Sequence, residues 1–137
     1  MPNPITHDVL RIDLPREADR IASFIKTTVA QRFQRRGAVV ALSGGIDSSC
    51  VAGLCVRALG AKRVFGLHLP EGESAKETVR LSTSVSTALG MESVLEDITP
   101  ILEAAGCYRR RDDSIRRVVP EYGEGYKSKI VLPSVVD

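Results

Sequence analysis

Ala38-Val39-Val40-Ala41-Leu42-Ser43-Gly44-Gly45-Ile46-Asp47-Ser48-Ser49, followed by an apolar run from Cys50 to Leu59, decides how the chain is read. The first five residues form a continuous apolar, partly β-branched run, the pattern of a strand buried on both faces of a parallel sheet. Gly44 and Gly45 can take positive φ, and they let backbone N–H groups approach an anion with no Cβ in the way. Ser48 or Ser49 is expected to cap the following helix, whose dipole and unpaired N–H groups then point into the same loop. Strand, glycine turn and helix N-terminus together make a cradle for phosphate. No lysine follows the glycines, so this is not the G-x-x-x-x-G-K-[ST] loop. Asp47 stands inside the cradle instead. A carboxylate there would repel bare phosphate but suits a Mg²⁺ carried by the phosphates.

Length and composition narrow the setting. The chain has 137 residues, 43% hydrophobic and 26% charged, with a net charge of +2, an ordinary profile for one soluble globular domain. That charge is too small to argue for a nucleic-acid partner or an anionic membrane. No apolar run approaches the roughly 20 residues that span a bilayer, and the first eight residues lack the basic and apolar regions of a secretory signal. Cys50, Cys55 and Cys107 are three cysteines without metal spacing. They are expected to be buried free thiols in a reducing, cytoplasmic compartment.

Along the chain, residues 1–15 read as a Pro-rich surface leader and 16–137 as one domain. A helix is expected from Arg16 to about Arg36, opened by Pro15 and closed by Gly37. Its stripe of Ala18, Ile21, Ala22, Ile25, Val29 and Phe33 packs on the sheet or on a second subunit. The helix from Ser48 to Leu59 is apolar nearly all round and should be buried. Val64 to Leu69 is the second strand, Ser74 with Glu77 has capping-box spacing for a helix to about Leu89, and Ser93 to Asp97 is the third strand. The order β-α-β-α-β implies right-handed crossovers and an α/β, doubly wound parallel sheet. Ligands in such sheets sit past the carboxyl ends of the strands, where the Ser43 loop and the Leu69–Ser74 loop both lie.

Thr99-Pro100 opens a short helix ended by Gly106. Arg109, Arg110, Arg111, Arg116 and Arg117 then crowd nine residues. They form either a solvated helix face paired with Asp112 and Asp113, or a surface that recognises phosphate or carboxylate by bidentate contacts. Ile130-Val131-Leu132 begins like another buried strand. Sheets of this class have about five or six strands, so a chain with three is expected to be part of a longer enzyme or to be completed by a partner chain.

In this setting Ser43-Gly44-Gly45-Ile46-Asp47-Ser48 resembles the pyrophosphate loop of the ATP pyrophosphatases, the PP-loop superfamily. That superfamily includes NAD synthetases, GMP synthetases, asparagine synthetases and several tRNA-modifying enzymes. The resemblance implies a Rossmann-like, adenine nucleotide alpha hydrolase-like fold and a chain that adenylates its substrate. Leu67-His68-Leu69-Pro70 with Ser74 resembles the NAD-synthetase version of the adenosine segment, and the likeness to that family runs over roughly residues 16–132. It implies ATP and Mg²⁺ as cofactors, with ATP contacts at Ala41, Leu42, Ser43, Gly44, Gly45, Ile46, Asp47, Ser48, Leu67, Leu69 and Ser74, and with Asp47 on the metal. No nucleophilic side chain is implied.

The implied reaction is amidation of nicotinic acid adenine dinucleotide to NAD through an acyl-adenylate, with release of pyrophosphate and AMP. Too few residues precede the loop strand for a glutaminase domain, so free ammonia or a separate glutaminase subunit is implied as nitrogen source. A homodimer is implied as well. The family's second magnesium-binding acid falls beyond Asp137. His68 departs from the apolar residue expected in that segment, and an imidazole hydrogen-bonded within a strand is the favoured reading. Two rivals stand beside this reading: another adenylating enzyme, GMP synthetase-like or tRNA-modifying, and a non-catalytic module that binds ATP or AMP.

Overall fold

A computed structural model of the chain describes residues 11–74 and 76–126. The strand anticipated at 130–132 and the first ten residues of the leader lie outside the described residues. Those described fall into two compact units, divided after Ile98.

The first unit is a parallel sheet with helices. Its strands are β1 (Ala38–Ala41), β2 (Val64–His68) and β3 (Glu92–Leu95), in spatial order β1-β2-β3. Ala38 pairs with Val64 and Ala41 with Leu67; Phe65 pairs with Glu92 and His68 with Leu95. Helix α2 (Ile46–Leu59) connects the first pair and α3 (Lys76–Ala88) the second. Right-handed crossovers that advance in one direction place both helices on the same face. The core lies there: Val40, Leu42 and Val64 from the sheet, Ala52, Cys55 and Leu59 from α2, and Met91, with Val85 and Leu89 packed against them. This is one half of a doubly wound, Rossmann-like sheet.

The other face is uncovered among the described residues. Val39 is 64% exposed, its register partner Phe65 is exposed, and so is Val94, which pairs with Leu67 two positions further along. The expectation that β1 is buried on both faces is therefore corrected, because both crossover helices serve one side. Helix α2 needs a similar correction. Ala52, Cys55 and Leu59 are buried, but Cys50 and Val51 face outward, so one stripe of an all-apolar helix is covered. Of the three free thiols Cys55 is buried, Cys107 half-buried and Cys50 exposed. Burial pushes the Cys55 thiol up from its ordinary value, by desolvation of the thiolate.

Helix α1 (Leu14–Thr27) starts where its caps place it. The Asp13 side chain accepts the N–H of Arg16 and Pro15 occupies the first turn. The helix does not reach Arg36. It widens into a π-helical turn, Thr28–Arg32, with Phe33 N–H donating to Thr28 (2.9 Å), and Gln34 then takes φ 51°. Ala22 is buried, Ile25 and Val29 pack on the core, and α1 lies against α2 with Arg57 bonded to Asp19 (2.6 Å). Phe33, read as part of the buried stripe, is exposed, since the π-turn rotates it off that face. Helix α3 ends in a Schellman motif: Gly90 at φ 63° lets Met91 N–H reach Ser86 O (3.1 Å) and Gly90 N–H reach Thr87 O (3.0 Å).

The second unit carries α4 (Thr99–Ala104) and α5 (Cys107–Arg116). Most of the arginine run lies on α5. Arg111 pairs with Asp112 (2.8 Å), Arg116 lies 3.5 Å from Asp113, and Arg110 caps Ala105 O (2.7 Å). Arg111 also stacks over Tyr108, and Arg116 Nε donates to Tyr122 O (3.0 Å). Arg111 and Arg116 are thus paired with acids of the same helix.

Two glycines separate close packing from open space. A Cβ on Gly37, at the entry to β1, would stand 2.3 Å from Arg63 O, whereas one on Gly53 in α2 meets nothing within 4 Å. Gly37→Ala is expected to destabilise the fold by about 1–3 kcal/mol. Gly53→Ala should stabilise it by about 0.5–1 kcal/mol. Urea denaturation of both variants checks the pair; equal midpoints would contradict the packing described.

Candidate nucleotide site

The loop between β1 and α2 is built from two turns of hydrogen bonds. Leu42 N–H donates to Leu67 O (2.8 Å), so the loop is rooted in β2 one residue past the β1–β2 register. Ser43 N–H then donates to Ser48 Oγ (3.2 Å), and the two hydroxyls stand 3.1 Å apart. Gly45 N–H donates to Ser43 Oγ (3.3 Å), and the Ser48 and Ser49 hydroxyls both donate to Gly45 O (3.1 and 2.7 Å). The first intrahelical bond of α2 is Ser49 N–H to Gly45 O (3.2 Å). The amides of Ile46, Asp47 and Ser48 therefore have no acceptor within the helix, and they lie at its positive end.

The capping expectation needs correcting. Gly45, not a serine, is the N-cap of α2, and no side chain caps it. Ser48 and Ser49 fall inside the first turn, where their hydroxyls brace the loop. An N-cap without a side-chain oxygen leaves the helix N-terminus open to an outside anion. Of the two glycines, Gly44 uses its freedom, at φ 75°, while Gly45 has an ordinary φ of −80°. A Cβ on Gly44 would lie 2.8 Å from Thr78 O and 3.0 Å from Leu81 Cβ. The loop is thus pressed against the first turns of α3.

Beside the loop opens a cleft of about 120 Å³, lined by Leu42, Ser43, His68, Leu69, Pro70, Ser74, Thr78, Val79 and Ser82. It gathers four of the expected ATP contacts, Leu42, Ser43, Leu69 and Ser74, with His68 and Pro70 from the same segment. The Ser74 hydroxyl accepts Glu71 N–H (3.0 Å) and Ser74 N–H donates to Glu71 O (2.8 Å), closing the connection after β2 into a turn. Gly44 to Ser48 form the adjoining loop. Ala41 and Leu67 are paired strand residues outside the cleft, and the Leu67 carbonyl is engaged by Leu42. Thr78, Val79 and Ser82 were not anticipated. No local signal marks them, because their place depends on how α3 packs beside the loop.

Asp47 lies in the first turn of α2 and is exposed, where the helix dipole favours negative charge. Among the described residues no group of three His, Cys, Asp or Glu side chains could hold a metal. One carboxylate fits a Mg²⁺ bound mainly through substrate phosphates and water. Glu77, in the first turn of α3, is held by Arg80, whose side-chain hydrogen bonds lower the pKa of its carboxyl.

Comparison with known proteins places these elements. The family model described as NAD synthase matches residues 17–118. An NH3-dependent NAD+ synthetase of Mesorhizobium japonicum is 48% identical over 129 residues, covering 94% of this chain and 40% of that protein. The chain thus spans about two fifths of the length of this relative. The structure of an NH3-dependent NAD synthetase from Campylobacter jejuni, bound to nitrate, superposes with a TM-score of 0.66 at 28% identity, over 80% of this chain and 50% of that one. An NMN synthetase from Francisella tularensis superposes with the same TM-score at 22% identity, over 74% of this chain and 41% of that one, and shares the fold.

Gly44→Ala adds a side chain where both φ and space forbid it, whereas at Gly45, with its ordinary φ, a Cβ would meet only the rotatable Ser43 hydroxyl, at 3.3 Å. Gly44→Ala should weaken nucleotide binding at least about tenfold, while Gly45→Ala keeps the folded stability within about 1 kcal/mol of wild type. Calorimetric titration with Mg-ATP, beside urea denaturation, reads both. Unchanged affinity in Gly44→Ala would mean that the loop geometry does not matter for binding.

Proposed function

The chain belongs to the NAD synthase family, and from that premise we propose that the complete protein amidates nicotinic acid adenine dinucleotide to NAD at the expense of ATP. The observation that carries this reading is the Ser43–Ser48 loop. It joins a positive-φ glycine, an uncapped helix N-terminus and one exposed carboxylate at the carboxyl edge of a parallel sheet.

The chemistry divides into two steps. An oxygen of the nicotinate carboxylate attacks the α-phosphorus of ATP, and the bond to the bridging oxygen breaks. Pyrophosphate leaves and an acyl-adenylate forms. Ammonia then attacks the acyl carbon, AMP departs with the mixed-anhydride oxygen, and the nitrogen loses a proton. Negative charge grows on the leaving pyrophosphate in the first step. The amides of Ile46, Asp47 and Ser48 at the dipole's positive end are fixed donors for that charge. Their orientation is set before the substrate arrives, by the Ser43–Ser48 hydroxyl pair and the Gly45 carbonyl that takes both serine hydroxyls. Leu42, Leu69 and Pro70 offer an apolar wall for adenine, and Ser43, Ser74 and Thr78 polar groups near it. Asp47 is the residue that would hold magnesium, which when bound neutralises phosphate charge. No side chain of the site serves as a nucleophile; positioning and electrostatics account for the rate.

Ammonia, free or delivered by a separate glutaminase subunit, is the proposed nitrogen donor. The proposed assembly is a homodimer. Leu14 and Phe24 on α1 and Ile46 and Val51 on α2 are exposed apolar side chains on two helices that pack together, and a second subunit would cover them. Among the described residues no helix is long and apolar enough to cross a membrane. The proposed setting is the cytoplasm, with residues 16–137 forming the N-terminal part of the ATP pyrophosphatase domain.

The complete gene product, supplied with Mg-ATP and ammonium, should release AMP only when nicotinic acid adenine dinucleotide is present, and not with xanthosine monophosphate. AMP release that ignores the dinucleotide would move the reading to another adenylating enzyme. ATP binding without any turnover would move it to a binding module. Asp47→Asn should lower kcat by about 100-fold or more while leaving the fold intact by circular dichroism. Turnover near wild type in that variant would remove Asp47 from the metal site.

A further inference from the structure

The interface between α3 and the sheet contains a polar cluster where an apolar one is the ordinary solution. His68, at the end of β2, is 3% exposed. Its Nδ1 lies 2.8 Å from Ser82 Oγ and its Nε2 3.5 Å from Ser86 Oγ. Ser82 and Ser86 are buried too, and Ser93 Oγ on β3 donates to Ser86 Oγ (3.2 Å). The two α3 serines also bond to their own helix, Ser82 to Val79 O and Ser86 to Thr83 O (both 3.0 Å). Ser82 and Ser86 are four residues apart on the sheet-facing stripe of α3, and both are small where a branched apolar residue would fill the space. The imidazole takes that space.

We propose that His68 is a positioning residue for the nucleotide site: through its bond to Ser82 it fixes the seating of α3, and α3 in turn fixes the phosphate loop. The link from Ser82 to the loop is short. A Cβ on Gly44 would lie 3.2 Å from Ser82 N, 3.0 Å from Leu81 Cβ and 2.8 Å from Thr78 O. One turn of α3 therefore carries the serine held by His68 on one side and the surface that presses on Gly44 on the other. The same turn supplies Thr78, Val79 and Ser82 to the wall of the cleft, with His68 beneath. An apolar contact holds a helix to a sheet but lets it slide or rotate by fractions of an ångström. A bond of defined length and direction does not. Loop amides must be aimed to within such fractions to hold a leaving pyrophosphate.

The chemistry of the cluster suits a test in which the fold survives. In His68→Leu, Ser82 and Ser86 keep their backbone acceptors, so no buried hydroxyl hydrogen is orphaned. The pin disappears and the packing volume is retained. In His68→Gln an amide can again reach Ser82. Ser82→Ala removes the other partner, and Ser84→Ala on the exposed side of α3 serves as control.

The inference rests on the proposed ATP-dependent amidation, and two readouts on the complete protein keep the two claims apart. The first is titration with a non-hydrolysable Mg-ATP analogue, which needs no acceptor. The second is steady-state AMP release with ATP and ammonium varied separately. His68→Leu and Ser82→Ala should each weaken the analogue and raise the KM for ATP by about 3- to 10-fold, with the KM for ammonium unchanged. His68→Gln should recover most of the loss. The double variant His68→Leu/Ser82→Ala should lose no more than either single one. Unchanged nucleotide affinity in folded His68→Leu or Ser82→Ala would overturn the proposal. So would a loss that tracks urea stability and is not relieved by His68→Gln, since a merely structural role predicts that pattern. If His68→Leu fails to fold, Ser82→Ala and His68→Gln decide the question by the same titration. Wild-type protein that binds the analogue but makes no AMP from the dinucleotide would refute the amidation alone.

Discussion

The carbonyl oxygen of Thr78 and the loop at Gly44 come so close that no side chain could stand between them. The backbone at Gly44 is also in the left-handed region, with φ 75°. Two independent demands, conformation and space, thus meet at one residue. The loop turns sharply enough to bring the amides of Ile46, Asp47 and Ser48 to its mouth because Gly44 accepts that turn. It stays turned because α3 backs it. Strand β2 anchors one end, with Leu67 O accepting Leu42 N–H, and the first turn of α2 holds the other, with the Ser48 and Ser49 hydroxyls on Gly45 O. The loop is therefore held from three elements, and none of the bonds that hold it uses the amides left for an anion.

Topology explains why those three elements meet. Successive right-handed crossovers put α2 and α3 side by side over one face of the sheet, and parallel strands end at a common edge. The connections after β1 and β2 then leave from neighbouring points, with Ser43 and Ser74 facing the same cleft. Further bonds, Glu96 N–H to His68 O (2.9 Å) and Ile98 N–H to Pro70 O (3.0 Å), tie the segment after β3 to the same edge. The same topology has a structural cost. Among the described residues Val39, Phe65 and Val94 stand uncovered on the opposite face, because both crossover helices of the 1-2-3 order lie on the other side.

How far this was legible in the sequence depended on whether the signal was local. The β1 run, the two glycines and the helix after them are adjacent in the chain, and their reading as a phosphate cradle rests on residues 38–59 alone. The strand and helix order followed from alternating apolar runs and glycine stops such as Gly60 and Gly90. The exact cap did not follow. Ser48 and Ser49 are good N-cap residues, yet the Gly44 turn starts the helix three residues early, at Gly45, and turns the serines into braces. The end of α1 was lost for a related reason: a π-turn has no composition signature, and its effect on Phe33 depends on one extra residue per turn. Burial of β1 on one face and the contribution of Thr78, Val79 and Ser82 to the cleft depend on which elements pack together. No single stretch of sequence encodes either. His68 could be read as a hydrogen-bonded strand imidazole, but its partners lie 14 and 18 residues away.

The position of Asp47 ties the electrostatics to the order of events. A carboxylate among amide donors competes with phosphate for the same positive end of α2, so it ought to weaken a site meant for a bare anion. On the first helical turn, however, the dipole stabilises that carboxylate. The side chain is exposed and free of a rigid cage of other acids among the described residues, so it can meet a cation that comes in already attached to phosphate. In the proposed reaction the amides would take phosphate oxygens and the acid the metal, so the two kinds of group would not compete. A site arranged this way would favour the metal–nucleotide complex over either component alone. Among the described residues the loop would bring one side-chain charge, Asp47, together with backbone groups that the fold has already oriented.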